Sequence, residues 1–133
     1  MTGGHGDDVL KGQGGIDVLQ EIGNVDFQLS DHRLDGHGRD RLAGIEAARL
    51  EGGEGDNRID ASGFSGTTTL LGAAGDDQLL GGAAYDRLDG GGGDDRIDGR
   101  GGNDVLIGRV TKTHWRSRAL AVRYIITFSV SAS

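Results

Sequence analysis

The chain has 133 residues, of which 27 are glycine and none is proline or cysteine. Without cysteine there is no disulfide framework, no cysteine-based zinc site and no cysteine nucleophile, and a glycine spacing other than three without proline excludes a collagen-like helix. The formal net charge of −7 disfavours binding to nucleic acid and anionic membranes and favours binding to cations.

A nine-residue repeat begins near the N-terminus. Residues 3–11 read GGHGDDVLK and residues 12–20 read GQGGIDVLQ, with aspartate at the sixth position (Asp8 and Asp17) and leucine at the eighth. The glycine-rich first six positions predict a turn, and the last three predict a minimal strand. Because neighbouring side chains of a strand point to opposite faces, we expect only the eighth position to face the interior.

The segment 21–51 does not hold this period. Val25, Phe27 and Leu29 alternate with polar residues, which predicts a half-buried strand. Residues 44–50 are open to two interpretations, a short helix or an eight-residue degenerate repeat.

Weaker copies of the repeat lie on either side of position 50. Residues 35–43 (DGHGRDRLA) match in part and place Asp40 at the sixth position, and residues 52–60 (GGEGDNRID) place Asn57 there. The β-branched run Thr67–Leu71 that follows predicts another strand.

Four repeats then follow one another in phase over residues 72–107. Every copy begins with glycine and has aspartate at the sixth position and leucine or isoleucine at the eighth. The copies read GAAGDDQLL, GGAAYDRLD, GGGGDDRID and GRGGNDVLI, and their aspartates are Asp77, Asp86, Asp95 and Asp104. In the second copy Ala84 replaces the glycine of the fourth position, so we expect a strained turn and a weaker site at Asp86.

The composition changes after residue 108. All 21 acidic residues lie at or before Asp104, whereas residues 109–133 hold five basic residues, no acidic residue and no glycine. In this tail Tyr124, Ile126 and Phe128 alternate, which predicts a strand. We expect the tail either to cap the open end of the repeats, as repeat folds require, or to be a truncated end. No stretch approaches the ~18 apolar residues of a membrane-spanning helix, so no membrane span is predicted.

The regular spacing of the aspartates indicates a cation. Each unit buries about one aliphatic side chain, and its glycines lose much conformational entropy on folding, so the core is a weak source of stability. A row of carboxylates beside turn carbonyls suits Ca²⁺ better than Mg²⁺, because Ca²⁺ tolerates irregular coordination by oxygen atoms. Without it the carboxylates repel one another, so we expect folding to be coupled to metal binding. The competing interpretation is ordinary Asp–Gly turn chemistry without metal.

The pattern G-G-x-G-x-D-x-U-x, in which U is a large aliphatic residue, resembles the repeats-in-toxin (haemolysin-type) calcium-binding nonapeptide repeat family. The resemblance implies an all-β parallel β-roll or β-helix solenoid, in which two repeats form one coil and calcium lies between turns of successive coils. Asp77 would then face Asp95 on one side, and Asp86 would face Asp104 on the other. The calcium-binding residues that it implies are Asp8, Asp17, Asp40, Asn57, Asp77, Asp86, Asp95 and Asp104.

We therefore expect four segments along the chain. They are N-terminal nonapeptide repeats (1–20), a degenerate, irregular solenoid segment (21–71), a regular calcium-binding β-roll (72–108) and a non-repeat basic tail (109–133). A further hypothesis joins them in one continuous solenoid, with Asp40, Asn57 and Asp77 stacked along one side.

The expected function is calcium binding by a non-enzymatic, secreted β-roll module that folds on binding calcium. The resemblance implies an extracellular location and export through a type I secretion apparatus. The alternative is a structural or adhesive spacer, or an interaction scaffold of a larger secreted protein with cell-surface ligands. No enzyme is expected, because the chain has no Gly-x-Ser-x-Gly, His-Glu-x-x-His or phosphate-loop motif.

Overall fold

The computed structural model describes residues 1–109, 114–116 and 122–128. This part of the chain is all-β and contains no helix. Its strands are β1 (Val9–Lys11), β2 (Val18–Ile22), β3 (Phe27–Ser30), β4 (Arg33–Asp35), β5 (Arg39–Ala43), β6 (Ala47–Glu51), β7 (Arg58–Gly63), β8 (Thr67–Leu71), β9 (Gln78–Leu80), β10 (Asp86–Asp89), β11 (Arg96–Asp98), β12 (Asp104–Arg109), β13 (His114–Arg116) and β14 (Val122–Phe128).

The strands form two sheets between which the chain alternates. Sheet A has the order β1-β5-β4-β3-β7-β9-β11-β13, and sheet B has the order β14-β12-β10-β8-β6-β2. From β6 onward every strand lies in the opposite sheet to the one before it, and its neighbours within a sheet are parallel to it. We call a pair of consecutive strands, one in each sheet, a coil. This architecture confirms the all-β prediction and is consistent with a β-roll.

The core consists of rows of apolar side chains, in which each row contains one residue from each of several neighbouring strands. Leu79 pairs in register with Ile97 in sheet A, and Leu88 pairs with Leu106 in sheet B. These eighth-position side chains are buried, and they join one hydrophobic cluster with the buried side chains of the other strands. The prediction that the eighth position faces the interior is therefore confirmed for this block.

Sheet A contains an antiparallel meander that the repeat pattern does not show. Strand β3 confirms the half-buried strand expected around Phe27, but β4 then turns back on it, and β5 turns back on β4. Strands β4 and β3 therefore lie between β5 and β7. The predicted stack of Asp40, Asn57 and Asp77 is wrong at Asp40, because Asp40 belongs to β5 and Asn57 immediately precedes β7.

The short helix considered for residues 44–50 is also wrong. Residues 47–51 form β6, which pairs with β2 on one side and β8 on the other. Ala48 and Leu50 alternate with outward-facing residues and are buried. The apolar contacts that this alternation makes with both neighbouring strands favour a strand over a helix.

The N-terminal end of sheet B is closed by a buried carboxylate. In β2, Leu19 pairs with Ala48 and Glu21 pairs with Leu50, so Glu21 occupies the end of a row that continues through Leu70, Leu88 and Leu106. Its side chain is 5% exposed. Its Oε1 accepts hydrogen bonds from Thr2 Oγ1 at 2.6 Å, from the Gly3 amide at 2.6 Å and from the Gly4 amide at 3.1 Å. These bonds hold residues 2–4 over the end of the core.

The tail contributes one strand to each sheet. Strand β13 lies parallel to β11, and β14 lies parallel to β12, which confirms the strand predicted around Tyr124–Phe128. The remaining residues of the tail, 110–113, 117–121 and 129–133, lie outside the described residues, so the cap and the truncated end both stay predictions. No helix in the described ranges is long and apolar enough to cross a membrane.

Candidate metal centre

The sixth-position aspartates of the regular block stand where each turn meets its strand. Asp77 and Asp95 immediately precede β9 and β11, and Asp86 and Asp104 are the first residues of β10 and β12. The sixth position lies two residues before the buried eighth position, and side chains two residues apart in a strand point to the same face, so these aspartates point inward. Asp77 is 2% exposed and the other three are 0% exposed.

Each of these carboxylates is bound to the backbone of the coil before it. Asp95 Oδ1 accepts the Asp77 amide at 3.0 Å, and Asp77 Oδ1 accepts the Asn57 amide at 2.8 Å. On the other side, Asp104 Oδ1 accepts the Asp86 amide at 3.1 Å. The expected stacking of Asp77 with Asp95, of Asp86 with Asp104 and of Asn57 with Asp77 is confirmed.

The second oxygen of several of these carboxylates has nothing to bind. Within the described residues, the buried Oδ2 atoms without a hydrogen-bond partner are those of Asp8, Asp77, Asp95 and Asp104. A buried polar atom without a partner costs about 1–3 kcal/mol, and more if it is charged. Such atoms therefore indicate that a ligand belongs beside them.

Burial raises the pKa of Asp77, Asp95 and Asp104 from the ordinary 3.8 to about 6. Burial is the largest cause of this increase, neighbouring carboxylates contribute to it, and the hydrogen bond from the preceding coil offsets part of it. Burial also raises the pKa of Asp40 and Asp86. At neutral pH the carboxylates of Asp77, Asp95 and Asp104 are therefore charged, and the described residues provide no partner for their buried Oδ2 atoms.

The glycine at the first position keeps a space open beside each carboxylate. A Cβ added to Gly72 would lie 2.6 Å from Asp77 Oδ2 and 2.6 Å from the carbonyl oxygen of Gly90 in the next coil. Any side chain there would fill the place where a carboxylate oxygen and a carbonyl oxygen come together. This set of donors suits Ca²⁺, which takes carboxylate and backbone carbonyl oxygens. In the part of the chain that the structure describes, no three His, Asp or Glu side chains form a group that could hold a metal, so backbone carbonyls must supply much of any coordination.

Asp86 differs from the other three aspartates of the block. Its Oδ1 accepts the Thr68 amide at 3.1 Å and the Thr68 hydroxyl at 2.6 Å, and its Oδ2 accepts the Gly82 amide at 2.8 Å. Both carboxylate oxygens are thus satisfied by the protein. The sequence analysis missed Thr68, although it lies two repeats before Asp86 and so falls in the same row.

The predicted ligands of the N-terminal half form separate pairs. Asp40 Oδ1 accepts the Asp8 amide at 2.9 Å, so Asp40 stacks with Asp8 and not with Asn57. The Asp17 amide donates to Glu46 Oε2 at 2.8 Å, which gives Glu46 the part that an aspartate has in the regular repeats. The sequence analysis missed Glu46, because it lies 29 residues after Asp17 and no multiple of the period connects them.

A second row of carboxylates lies on the surface beside the buried one. Asp56 Oδ1 accepts the Asp76 amide at 2.8 Å, and Asp76 Oδ1 accepts the Asp94 amide at 2.8 Å. With Asp26 these fifth-position side chains line a groove of about 430 Å³. They are exposed, so their charges are screened by water in a way that those of the buried row are not.

Comparison with known families gives one match. The model of the RTX calcium-binding nonapeptide repeat matches the chain in four copies, at residues 1–19, 46–63, 62–89 and 71–106. These segments include every sixth-position residue considered above except Asp40, and they cover more than half of the chain. No curated protein matches it.

Proposed function

Because the chain belongs to the RTX calcium-binding nonapeptide repeat family, we propose that it is a calcium-binding module whose turns complete their folding when they bind Ca²⁺. Repeats of this family are structural calcium-binding elements and not catalytic ones. The observation that carries the proposal is the pair of buried, unpartnered Oδ2 atoms of Asp77 and Asp95, on adjacent coils of one side of sheet A.

The residues that would hold calcium are those whose buried oxygen has no partner. They are Asp77 and Asp95, with Asp104 on the opposite side and Asp8 at the N-terminal end. Bound calcium supplies two positive charges and an affinity for oxygen ligands. The chain supplies the carboxylates, holds those of Asp77, Asp95 and Asp104 through Oδ1 hydrogen bonds, and presents carbonyl oxygens such as that of Gly90 beside them.

Calcium binding and folding are coupled in this proposal. At neutral pH the coils bring together buried carboxylates for whose charges the described residues provide no counter-ion, and this opposes folding. A ligand that binds only the folded state stabilises it by RT ln(1 + [L]/Kd). A module of this kind stays loose at the low calcium concentration inside a cell and folds at the higher concentration outside. Such behaviour suits a secreted protein exported through a type I apparatus.

The test is a calcium titration of the chelated protein followed by far-UV circular dichroism, with magnesium at the same ionic strength as control. We expect strand signal to rise cooperatively with calcium and not with magnesium, because the site requires a cation that accepts irregular coordination. Strand content that is the same with chelator and with calcium would refute the coupling. A rise of equal size with magnesium would refute the assignment to calcium.

A second candidate function, as an interaction scaffold, is favoured by the outer face of the meander. Arg33 of β4 lies directly opposite Arg41 of β5, and both are exposed. Like charges placed directly opposite destabilise a sheet. Arg33 is ion-paired with Asp35 at 2.8 Å, whereas Arg41 has no ion pair within the described residues, so an anionic partner would neutralise Arg41. Salt-sensitive retention of the calcium-loaded protein on a sulfated polysaccharide matrix, lost in Arg41→Glu, would support this function. Retention that Arg41→Glu leaves unchanged would refute it.

A further inference from the structure

Six of the glycine-rich turns are of two kinds, which differ in backbone conformation, and a seventh, 12–17, has positive φ at its fourth position only (Gly15, 87°). In four of them both the second and the fourth position have positive φ, and we call these open turns. Their second positions are Gly4 (φ 74°), Ala73 (75°), Gly91 (77°) and Arg100 (57°), and their fourth positions are Gly6 (100°), Gly75 (98°), Gly93 (114°) and Gly102 (92°).

The open turns coincide with the unpartnered carboxylates. They lead to Asp8, Asp77, Asp95 and Asp104, the same four residues whose buried Oδ2 lacks a partner. In an open turn the second-position amide is directed elsewhere. The Gly91 amide donates to Asp89 Oδ1 at 3.0 Å, and the Arg100 amide donates to Asp98 Oδ1 at 3.0 Å.

Two other turns are closed on themselves. In residues 81–86 the Gly82 amide donates to Asp86 Oδ2 at 2.8 Å, and in residues 52–57 the Gly53 amide donates to Asn57 Oδ1 at 2.8 Å. Neither turn has a positive φ at its second or fourth position. In these closed turns a backbone amide occupies the side-chain oxygen that an open turn leaves unbound.

Ala84 disfavours the open conformation in the turn 81–86, whereas the turn 52–57 is closed although Gly55 holds its fourth position. The fourth position of the open turns has φ between 92° and 114°, which lies beyond the left-handed region that a residue with a Cβ can enter. The second position is less demanding, because 75° at Ala73 and 57° at Arg100 lie in or near that region. Strain was expected at Ala84, and this expectation is wrong: the turn avoids strain by closing, and the strained residues are Ala73 and Arg100.

We propose that the turn 81–86 does not take calcium, so that the regular block has a calcium site flanked by two open turns on one side only. The fully built site lies between the open turns 72–77 and 90–95. On the other side the turn 99–104 is open but faces a closed neighbour, and Asp86 there is a structural residue bound to Thr68 and Gly82. This inference rests on the proposed function, because it takes the open turns to be those that bind calcium.

The test is to open the closed turn with Ala84→Gly. Glycine at the fourth position permits the positive φ of an open turn, and the site between the turns 81–86 and 99–104 is then flanked by two open turns. By equilibrium dialysis with radioactive calcium, we expect Ala84→Gly to bind one more calcium ion per chain than the unmodified protein. The matched control is Ala83→Gly, which adds the same glycine at an exposed neighbouring position and leaves the number of bound ions unchanged.

The converse variant is Gly93→Ala, which denies the turn 90–95 its open conformation. An added Cβ would also lie 1.9 Å from the Gly75 carbonyl oxygen, so this turn must change shape, and we expect the loss of one calcium ion per chain. Circular dichroism in saturating calcium checks that each variant retains its strands. An Ala84→Gly protein with the unmodified number of ions, or a Gly93→Ala protein that keeps all of them, overturns the inference. Absence of calcium binding by the unmodified protein overturns the proposed function instead.

Discussion

The carboxylate of Asp95 is bound through one oxygen only: its Oδ1 accepts the backbone amide of Asp77 at 3.0 Å, while its buried Oδ2 has no partner in the described chain. One oxygen thus connects adjacent coils, and the other requires a ligand. The hydrogen bond to Oδ1 does not require a charged side chain, because an uncharged acceptor can also make it. The buried Oδ2, by contrast, requires a positively charged ligand. The two functions of this side chain can therefore be separated by substitution.

Asp95→Asn separates them. The asparagine keeps an Oδ1 that can accept the Asp77 amide, but it removes the buried charge. Burial raises the pKa of Asp95 from 3.8 to about 6. A pKa increase of this size lowers the free energy of unfolding by roughly 3 kcal/mol at neutral pH. In chelator we therefore expect the variant to be more stable than the unmodified protein by about 1–3 kcal/mol, and in calcium we expect a smaller rise of its melting temperature.

The matched control for this variant is Asp94→Asn, the same change at the adjacent exposed residue. We expect it to change the melting temperature little in either condition. Thermal melting with chelator and with calcium measures both variants. An Asp95→Asn protein whose melting temperature rises with calcium as much as that of the unmodified protein would show that this carboxylate does not hold the ion.

The pH dependence of the calcium-free protein should be the reverse of that of most acidic proteins. The pKa values of Asp77, Asp95 and Asp104 are raised in the folded state, to about 6. The folded state therefore binds these protons more tightly than the unfolded state. The stability that they contribute is complete below pH ~4 and is lost as the pH rises through 6.

We accordingly expect more strand signal at pH 5 than at pH 7.5 when the protein is in chelator. Calcium affinity should rise over the same interval, because protons and calcium compete for the same oxygens. Circular dichroism and calcium titrations at a series of pH values measure both. Strand signal in chelator that increases between pH 5 and 7.5 would contradict the assignment of raised pKa values.

Glu21→Ala should destabilise the N-terminal end without affecting calcium. Three hydrogen bonds from residues 2–4 end on Glu21 Oε1, and their loss leaves the partly buried amides of Gly3 and Gly4 without this acceptor, at a cost of about 1–3 kcal/mol. We expect the same fall in stability with calcium and with chelator, together with faster amide exchange at Gly3 and Gly4. Gln20→Ala, at the exposed neighbouring position of β2, is the control and should change little. A loss confined to calcium-containing buffer would assign Glu21 to a metal site instead.

Ala73→Gly should stabilise the protein modestly. Ala73 has φ 75°, a conformation that costs a residue with a Cβ about 1 kcal/mol relative to glycine. We expect the free energy of unfolding in calcium to rise by up to about 1 kcal/mol, as measured by urea denaturation. Ala74→Gly, next to it and without positive φ, should lower stability by a few tenths of a kcal/mol to about 1 kcal/mol. Equal effects of the two changes would mean that the turn 72–77 is not strained.

The nine-residue period predicts the local unit and the rows of the regular block. It places Asp77 and Asp95 on one side and Leu79 and Ile97 in one core row, because turn, strand and side-chain parity all follow from spacing. It does not predict the meander. The alternation around Phe27 shows that a strand is present, but which strands it pairs with depends on hairpins that no spacing records.

The nine-residue period also does not predict which turns are open and which are closed. Asp86 and Asp95 occupy the same position of their repeats and are both fully buried. The difference between them arises from the conformation of residues two to five positions earlier, and from Thr68 of the preceding coil. In the sequence, Ala84 distinguishes the turn 81–86 from the other turns of the regular block, but by itself it predicts a strained turn. The hydrogen bond from the Gly82 amide to Asp86 Oδ2 shows that the backbone takes a different conformation instead.

The meander gives sheet A eight strands where sheet B has six. At about 4.8 Å per strand, the outer edge of β1 is offset by roughly 10 Å from the edge of β2 along the direction in which the coils stack. A stack of identical coils can grow without limit, because the strands at each end can pair with the strands of a further coil. In this protein the terminal strands β1 and β2 lie at different heights along the stacking direction, so a regular coil that pairs with β1 cannot also pair with β2. The inserted strands therefore disfavour end-to-end growth at this end, in addition to the exposed Lys11 of the edge strand β1.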